Sequence, residues 1–153
     1  MNIRKMHPSE FDATMTLFNY YFDEAVESIP RMAEEHDENS ILETIRKFAT
    51  NYEYCWFNAY DGQRPVGFIA GYMTQCPWNS NLIYANIGFL FLLPSHRNWE
   101  NLRALYDEFE KWSRTIDAYE ITIGDIGINI ERSRTLYERL GFEPMLLMRQ
   151  GVK

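Results

Sequence analysis

The chain has 153 residues, so we expect one domain spanning residues 1–153, with room for a substantial core. The composition, 46% hydrophobic and 16% aromatic, excludes a disordered chain, and the formal net charge of −7 argues against a nucleic-acid binder that works by neutralising phosphates. No apolar run approaches the ~20 residues of a membrane span, and the first residues lack the apolar core of a signal peptide, so we expect a cytoplasmic protein that does not bind membranes.

The N-terminal third predicts a short strand and two helices. Residues 2–6 form the strand, and Ser9 is the expected cap of a first helix whose apolar residues recur at three- and four-residue steps. Residues 29–37 are predicted to be an acidic loop, and residues 39–49 a second helix. The acids of this region either attract a cationic amine or form a solvated face: Asp23, Glu24, Glu27, Glu34 and Glu35.

The middle third predicts three consecutive strands. Residues 52–60 and 65–74 flank Asp61-Gly62, a dipeptide typical of tight hairpin turns. Residues 77–81 are predicted to be a loop. Residues 82–93 form a nearly continuous apolar run, which indicates a central strand that is covered on both faces.

The C-terminal third alternates helices and strands. Its apolar periodicity predicts a helix over residues 99–116, then a short strand over residues 120–124. A second helix is predicted over residues 131–140, ended by Gly141 in a left-handed conformation. Residues 142–149 are the predicted last strand.

These elements predict an α/β (α+β) fold in the order β-α-α-β-β-β-α-β-α-β. Strands joined by short turns pair antiparallel, whereas the crossover through the helix at residues 99–116 makes its two strands parallel and adjacent. The sheet is therefore mixed and mostly antiparallel, with a central parallel strand pair and helices on both faces. Gly88 in the long strand predicts a bulge or a close backbone approach.

The cysteines and histidines give no sign of a metal site. Cys55 and Cys76 lack the spacing of metal ligands, and the three histidines are scattered along the chain. We therefore expect two reduced thiols and no bound metal.

A candidate anion site lies where the long strand runs into the helix at residues 99–116. Unpaired amides at a helix start attract phosphate, and Arg97 adds a cation with bidentate geometry. Glu100 would repel phosphate, but an acid in the first turn is also a normal helix-start residue. An ordinary strand–loop–helix connection with a surface arginine remains the alternative.

Two polar residues are candidates for proton transfer. The phenol of Tyr137, with an ordinary pKa of about 10, suits a donor to a leaving thiolate, although a tyrosine packed in the core would fit the same pattern. Asp125 follows a strand end and could accept a proton from an amine, or could simply form a turn.

Three motifs resemble the GNAT superfamily of acetyl-CoA-dependent N-acetyltransferases, of the kind found in bacteria and their phages. Residues 92–97 read LLPSHR, similar to the family's apolar-x-Pro-x-x-Arg stretch, and residues 136–142 match its LYExLGF helix end. Residues 127–132, GINIER, resemble the family's Gly-x-Asn-Pro-Glu-Arg turn with isoleucine in place of proline. The resemblance is best over residues 82–150.

The resemblance implies an N-acetyltransferase that moves an acetyl group from acetyl-CoA to a primary amine by direct attack, with no covalent enzyme intermediate. Tyr137 would protonate the CoA thiolate, the Leu92 amide would hold the acetyl oxygen, and Asn129 would contact the pantetheine arm. The acceptor would be an amine-bearing small molecule or protein. The implied cofactor-binding residues are Leu92, Leu93, Arg97, Asn98, Trp99, Glu100, Asn101, Leu102 and Asn129.

Two positions depart from the family pattern, because Glu100 and Leu102 stand where the pyrophosphate loop has small residues. A GNAT-fold protein with a degenerate CoA loop, acting as a binding or structural module, is therefore the alternative function. An unrelated α/β binding domain is a third interpretation.

The long strand also lacks the carboxylate that often serves the family as a base. The last strands are a candidate homodimer interface.

Overall fold

Five strands and four α-helices make up the part of the chain that the computed structural model describes, which is residues 1–124, 129–145 and 150. The strands form one sheet in the order β1-β2-β3-β4-β5. In chain order the elements are β1 Asn2–Lys5, α1 Phe11–Ser28, α2 Glu38–Thr50, β2 Tyr54–Asp61, β3 Arg64–Cys76, β4 Asn79–Leu92, α3 Trp99–Thr115, β5 Glu120–Ile123 and α4 Ile130–Leu140.

The strand directions confirm the predicted mixed sheet. β1 through β4 pair antiparallel, each with its neighbour in the chain. β4 and β5 pair parallel, from Tyr84 opposite Glu120 to Ile87 opposite Ile123. The α3 crossover between them therefore produces the parallel pair that the sequence predicted.

Aromatic side chains fill the space between the sheet and the first two helices. Phe18 of α1 packs on Phe68 and Phe89, and Phe48 of α2 packs edge-on against Trp56. Burial of such rings is the main source of core stability. This layer covers one face of the central strands.

The opposite face packs directly against α3. A Cβ on Gly71 would lie 2.2 Å from the Asn86 carbonyl oxygen and 2.4 Å from Cε2 of Phe109, which is fully buried. Only glycine permits that approach of helix to strand. Helices thus cover both faces, as predicted, and the apolar run of β4 lies between two layers.

The predicted cap of the first helix is wrong. A 3₁₀ turn, Pro8–Glu10, precedes α1, and its N-cap is His7 rather than Ser9. The His7 Nδ1 accepts a hydrogen bond from the Ser9 amide at 3.2 Å, while Glu10 accepts one from the His7 amide at 2.7 Å. Pro8 explains the shift, because a proline is favoured at the first helical position and so places the cap one residue before it.

Two predicted loops are also shorter than expected. Pro30–Glu35 forms a 3₁₀ helix within the predicted loop at residues 29–37, with Met32 buried as an anchor. β4 begins at Asn79, so residues 79–81 of the predicted loop at 77–81 belong to the strand. The burial of Met32 orders the first segment, and strand pairing of Asn79 with Cys76 of β3 orders the second.

The β2–β3 hairpin is displaced by one residue from the predicted Asp61-Gly62 turn. Asp61 pairs with Arg64, so the connection is Gly62-Gln63, and Gly62 takes a φ of 59°. The predicted cap at Gly141 is confirmed by its left-handed φ of 100°. Residues 142–145 form no strand, and the rest of the predicted strand at 142–149 lies outside the described residues.

Nothing in the described helices is both long enough and apolar enough to cross a bilayer.

Candidate functional site

The two parallel strands separate beyond Ile87 and Ile123. β5 ends at Ile123, whereas β4 continues to Leu92. The last five residues of β4 therefore have no strand partner on the β5 side among the described residues. Gly88 lies at a bulge, because Ala70 pairs with Phe89 and Gly71 pairs with Ile87. The predicted bulge at Gly88 is confirmed, and it opens a gap in the sheet.

The backbone of Leu92 points into this gap. The Leu93 amide donates to the Val66 carbonyl at 2.9 Å, toward β3. Since backbone groups alternate in direction along a strand, the amide and carbonyl of Leu92 point away from β3. The Leu92 carbonyl indeed accepts a hydrogen bond from Nε of Arg97 at 2.8 Å. The Leu92 amide is therefore available to a ligand, while the amide of Leu93 is not.

A cavity of about 540 Å³ occupies the gap between the strands and extends toward three helices. Its walls come from β4, the C-terminal end of β5 and the facing sides of α1, α3 and α4. The lining residues include these predicted positions: Leu92, Arg97, Asn98, Trp99, Leu102, Asn129 and Tyr137. Leu93, Glu100 and Asn101 are absent from its lining. The volume and the mixed lining suit a small-molecule ligand.

Tyr137 reaches the cavity from α4. Its ring is partly buried and meets the ring of Phe142 at a centroid distance of 6.3 Å, edge to face. Leu136 lines the cavity beside it. The left-handed Gly141 turns the chain back so that Phe142 packs against the helix that carries Tyr137. The LYERLGF stretch is thus a local unit that fixes the tyrosine ring in place.

Two amides at the start of α3 remain open. The side chain of Asn98 caps the helix by accepting a hydrogen bond from the Asn101 amide at 2.8 Å, and the Leu102 amide donates to the Asn98 carbonyl. The amides of Trp99 and Glu100 have no hydrogen-bond acceptor among the described residues. The side chain of Asn101 stabilises the turn before α3, because its Nδ2 donates a hydrogen bond to the His96 carbonyl at 2.9 Å.

Glu100 and Leu102 do not fill the cavity as obstructions. The side chain of Glu100 is exposed and lies outside the cavity lining. Leu102 is 8% exposed and belongs to the hydrophobic core, where it forms part of the cavity wall. Whether these two departures from the family pattern weaken cofactor binding stays a prediction. Leu102 is a packing residue, and Glu100 occupies the first turn of α3 facing solvent.

Arg97 is already engaged by a carboxylate. Its Nη1 donates to Glu24 Oε1 at 2.9 Å, its Nη2 pairs with Glu24 Oε2, and its Nε contacts the Leu92 carbonyl. The two side chains are 28% and 34% exposed. In this structure the Glu24 carboxylate fills the fork of Arg97, so a phosphate would have to compete with it, and the role of Arg97 as a phosphate ligand stays a prediction.

Glu24 and two further arginines line the cavity, although the sequence motifs gave them no role there. Glu24, from α1, is the one carboxylate in the lining contributed by the described residues. Arg132 and Arg139 of α4 line the cavity as well, and Arg139 lies over the Trp99 ring, 3.8 Å from its centroid. The seven-residue spacing of Arg132 and Arg139, which is two helical turns, was a signal that could have placed both arginines on one face of α4.

The remaining sequence candidates have structural roles or lie outside the described residues. Asn129 caps α4 by accepting a hydrogen bond from the Arg132 amide at 3.1 Å. Asp125 lies outside the described residues. Both cysteines are buried and unpaired, and burial raises the pKa of Cys55 to about 12, so its thiol stays protonated.

With this geometry in view, comparison with known families identifies the class of protein. The sequence profile described as "Acetyltransferase (GNAT) family" matches residues 15–142. The chain therefore belongs to the GNAT family of acetyltransferases. No curated protein sequence matches the chain significantly.

Solved structures share the fold at low sequence identity. The apo aminoglycoside 6'-N-acetyltransferase AAC(6')-IG from Acinetobacter haemolyticus is 15% identical over all of both chains, with a TM-score of 0.73. AAC(6')-Iy in complex with a CoA bisubstrate analogue is 17% identical, covering 98% of this chain and 97% of its own, with a TM-score of 0.74. Ribosomal-protein-alanine N-acetyltransferase from Brucella melitensis is 14% identical, covering 97% and 100%, with a TM-score of 0.69.

Proposed function

We propose that the protein transfers an acetyl group from acetyl-CoA to a primary amine. The observation that carries this proposal is the gap between β4 and β5, with the Leu92 amide on one wall and Tyr137 on the other wall of the same cavity. The family membership and the acetyltransferases among the structural neighbours support it. Acetyl-CoA supplies the activated acyl thioester when it is bound.

The residues of the cavity fit such a ligand. The unpaired edge of β4 offers Leu92 to an extended pantetheine arm, which would lie along it like an added strand. The open amides of Trp99 and Glu100 lie at a helix start, where phosphate binds well. Asn129, at the start of α4, lines the cavity near the β5 end and would contact the arm.

The Leu92 backbone amide and the Tyr137 side chain would each have one role in the transfer. The Leu92 amide would donate a hydrogen bond to the acetyl oxygen and stabilise the negative charge that develops there. The amine nitrogen forms a bond to the acetyl carbon as the carbon–sulfur bond breaks. Tyr137 would give its phenolic proton to the departing sulfur, and the amine loses one proton to solvent, which balances the exchange when the phenol is reprotonated.

Purified protein with acetyl-CoA and a panel of amines tests the proposal by the release of free thiol. The panel should contain aminoglycosides and peptides with an N-terminal alanine, because structural neighbours are described as acting on such molecules. Amine-dependent thiol release is expected with at least one member. Acetyl-CoA that fails to bind even at millimolar concentration would contradict the proposal.

A second function is favoured by one observation. Because Glu24 occupies the fork of Arg97, the protein could hold a ligand or partner without transferring acetyl groups. Binding of acetyl-CoA without release of thiol on a broad panel of amines would support this interpretation over the enzyme.

A further inference from the structure

We propose that Arg132 and Arg139 of α4 supply the phosphate-binding cations of the cavity, in place of Arg97. The inference rests on the proposed function and deepens it, because it names the residues that hold the charged part of acetyl-CoA. Among the described lining residues, the basic ones are Arg97, Arg132 and Arg139.

Arg97 is the least available of the three. Both of its terminal nitrogens bond to the Glu24 carboxylate, and its Nε bonds to the Leu92 carbonyl. A guanidinium with its fork filled by a carboxylate has little net charge to offer a phosphate. The family position expected to bind phosphate is thus neutralised in this chain.

Arg132 and Arg139 are differently placed. Neither guanidinium makes a hydrogen bond or an ion pair with another residue that the structure describes. Cζ of Arg139 lies over the ring of Trp99, the first residue of α3, at 3.8 Å from the ring centroid. Stacking uses the face of the guanidinium and leaves its N–H edges free to donate. It therefore fixes a cation beside the open amides of α3.

The spacing on α4 gives both arginines one face of the helix. Arg132, Leu136 and Arg139 follow one another at steps of four and three residues, and all three line the cavity. The two arginines are separated by two helical turns, about 10 Å. Acetyl-CoA carries two separate phosphate centres, a pyrophosphate and a ribose 3′-phosphate, so one cation near each is a suitable match.

The overall charge makes these two cations more important. The chain carries a formal net charge of −7, which opposes the approach of a polyanion. Arg134 of the same helix does not help, because it is paired with Glu138 at 2.7 Å on a surface that does not line the cavity. It offers a matched control with the same charge on the same helix.

Calorimetric titration of the full chain tests the inference. The ligands are acetyl-CoA, its 3′-dephospho form and S-acetylpantetheine, which has neither phosphate centre. Arg132→Gln and Arg139→Gln should each raise the Kd of acetyl-CoA about five- to tenfold, and Arg134→Gln less than twofold. The Kd of S-acetylpantetheine should change less than twofold in all three variants. Arg139→Lys should recover part of the loss, because it keeps the charge.

The outcomes separate this inference from the proposed function. If the wild type binds acetyl-CoA and both cavity variants bind it as Arg134→Gln does, the two arginines have no such role and the proposed function stands. If the wild type does not bind acetyl-CoA at millimolar concentration, both fail. Should Arg139→Gln unfold through loss of the Trp99 contact, Arg132→Gln decides alone, since the Arg132 guanidinium has no hydrogen bond or ion pair with a described residue.

Discussion

Arg97 and Glu24 form a bidentate ion pair that joins the loop before α3 to α1. Both residues line the cavity. The residues lie far apart in the sequence, and each alone looks like a surface charge. Together they neutralise the arginine that the family motif would assign to phosphate. The pair therefore leaves little net charge on this part of the cavity wall.

Removing the carboxylate should strengthen cofactor binding. In Glu24→Gln, Arg97 keeps its place at the Leu92 carbonyl but regains its net charge, so the Kd for acetyl-CoA should fall about three- to tenfold. Stability should change by about 1 kcal/mol or less, because the pair is partly exposed. Asp23→Asn, the same charge change on an exposed neighbour, is the control for calorimetry. An unchanged or weaker affinity in Glu24→Gln would show that the pair does not compete with the cofactor.

Tyr137→Phe should affect turnover and not binding. Loss of the proton donor should lower kcat about 10- to 100-fold, while the ring still packs against Phe142 and the Kd for acetyl-CoA stays within twofold. Initial rates of thiol release with the best acceptor of the panel measure this effect. Tyr20→Phe, at an exposed position of α1, is the control. A kcat within twofold of wild type would exclude Tyr137 as the proton donor.

Glu100→Gly should not restore a cofactor site, because the side chain of Glu100 does not line the cavity. The Kd for acetyl-CoA should fall less than about twofold, from the lost negative charge alone, and Glu100→Gln should do the same. Glycine in the first turn of α3 should cost about 1 kcal/mol of stability in urea unfolding. A tenfold gain in Glu100→Gly that is absent from Glu100→Gln would mean that the side chain does obstruct the backbone.

Glu10 should make stability depend on pH on the acidic side. Burial alone would raise the pKa of Glu10, but hydrogen bonds from the His7 amide, the Tyr60 hydroxyl and Arg4 outweigh it and hold the pKa below its ordinary value. A carboxyl with a lowered folded-state pKa stabilises the fold above its unfolded pKa, about 4.3, and loses that effect as the pH falls through the folded value.

Urea unfolding of Glu10→Gln and wild type at neutral and acidic pH measures this difference. Wild type should be about 1 kcal/mol more stable near pH 7, and the gap should close as the pH falls below about 4. Glu27→Gln, at an exposed position of α1, should show no such closing gap. A gap that is constant with pH would mean that the charge of Glu10 is not what stabilises the N-terminal turn.

Most of the fold follows from the sequence because periodicity and glycine positions are local signals. The apolar run of β4, the bulge at Gly88 and the left-handed Gly141 were all predicted from the chain and are present. The errors concern short polar segments, such as the 3₁₀ helix Pro30–Glu35, whose order depends on the burial of one residue, Met32. No pattern within the segment reports that contact.

The site was only partly predictable for a related reason. A helix motif places Tyr137, and a strand that ends in LLPSHR places the Leu92 amide at the gap. The pairing of Arg97 with Glu24 depends on the packing of α1 against the sheet, and the stacking of Arg139 on Trp99 depends on how α4 meets α3. Such contacts join distant segments, so the motif could not reveal that the guanidinium of Arg97 is paired with Glu24.

The most direct test of the account is the thermal stability of the wild-type protein with and without acetyl-CoA, measured beside S-acetylpantetheine. We expect acetyl-CoA to raise the melting temperature, because at a hundredfold excess over Kd it should raise the free energy of unfolding by about 2.7 kcal/mol. S-acetylpantetheine, which lacks the phosphates, should give a much smaller rise. An unchanged melting temperature at millimolar acetyl-CoA would contradict the claim that the cavity between β4 and β5 is a cofactor site.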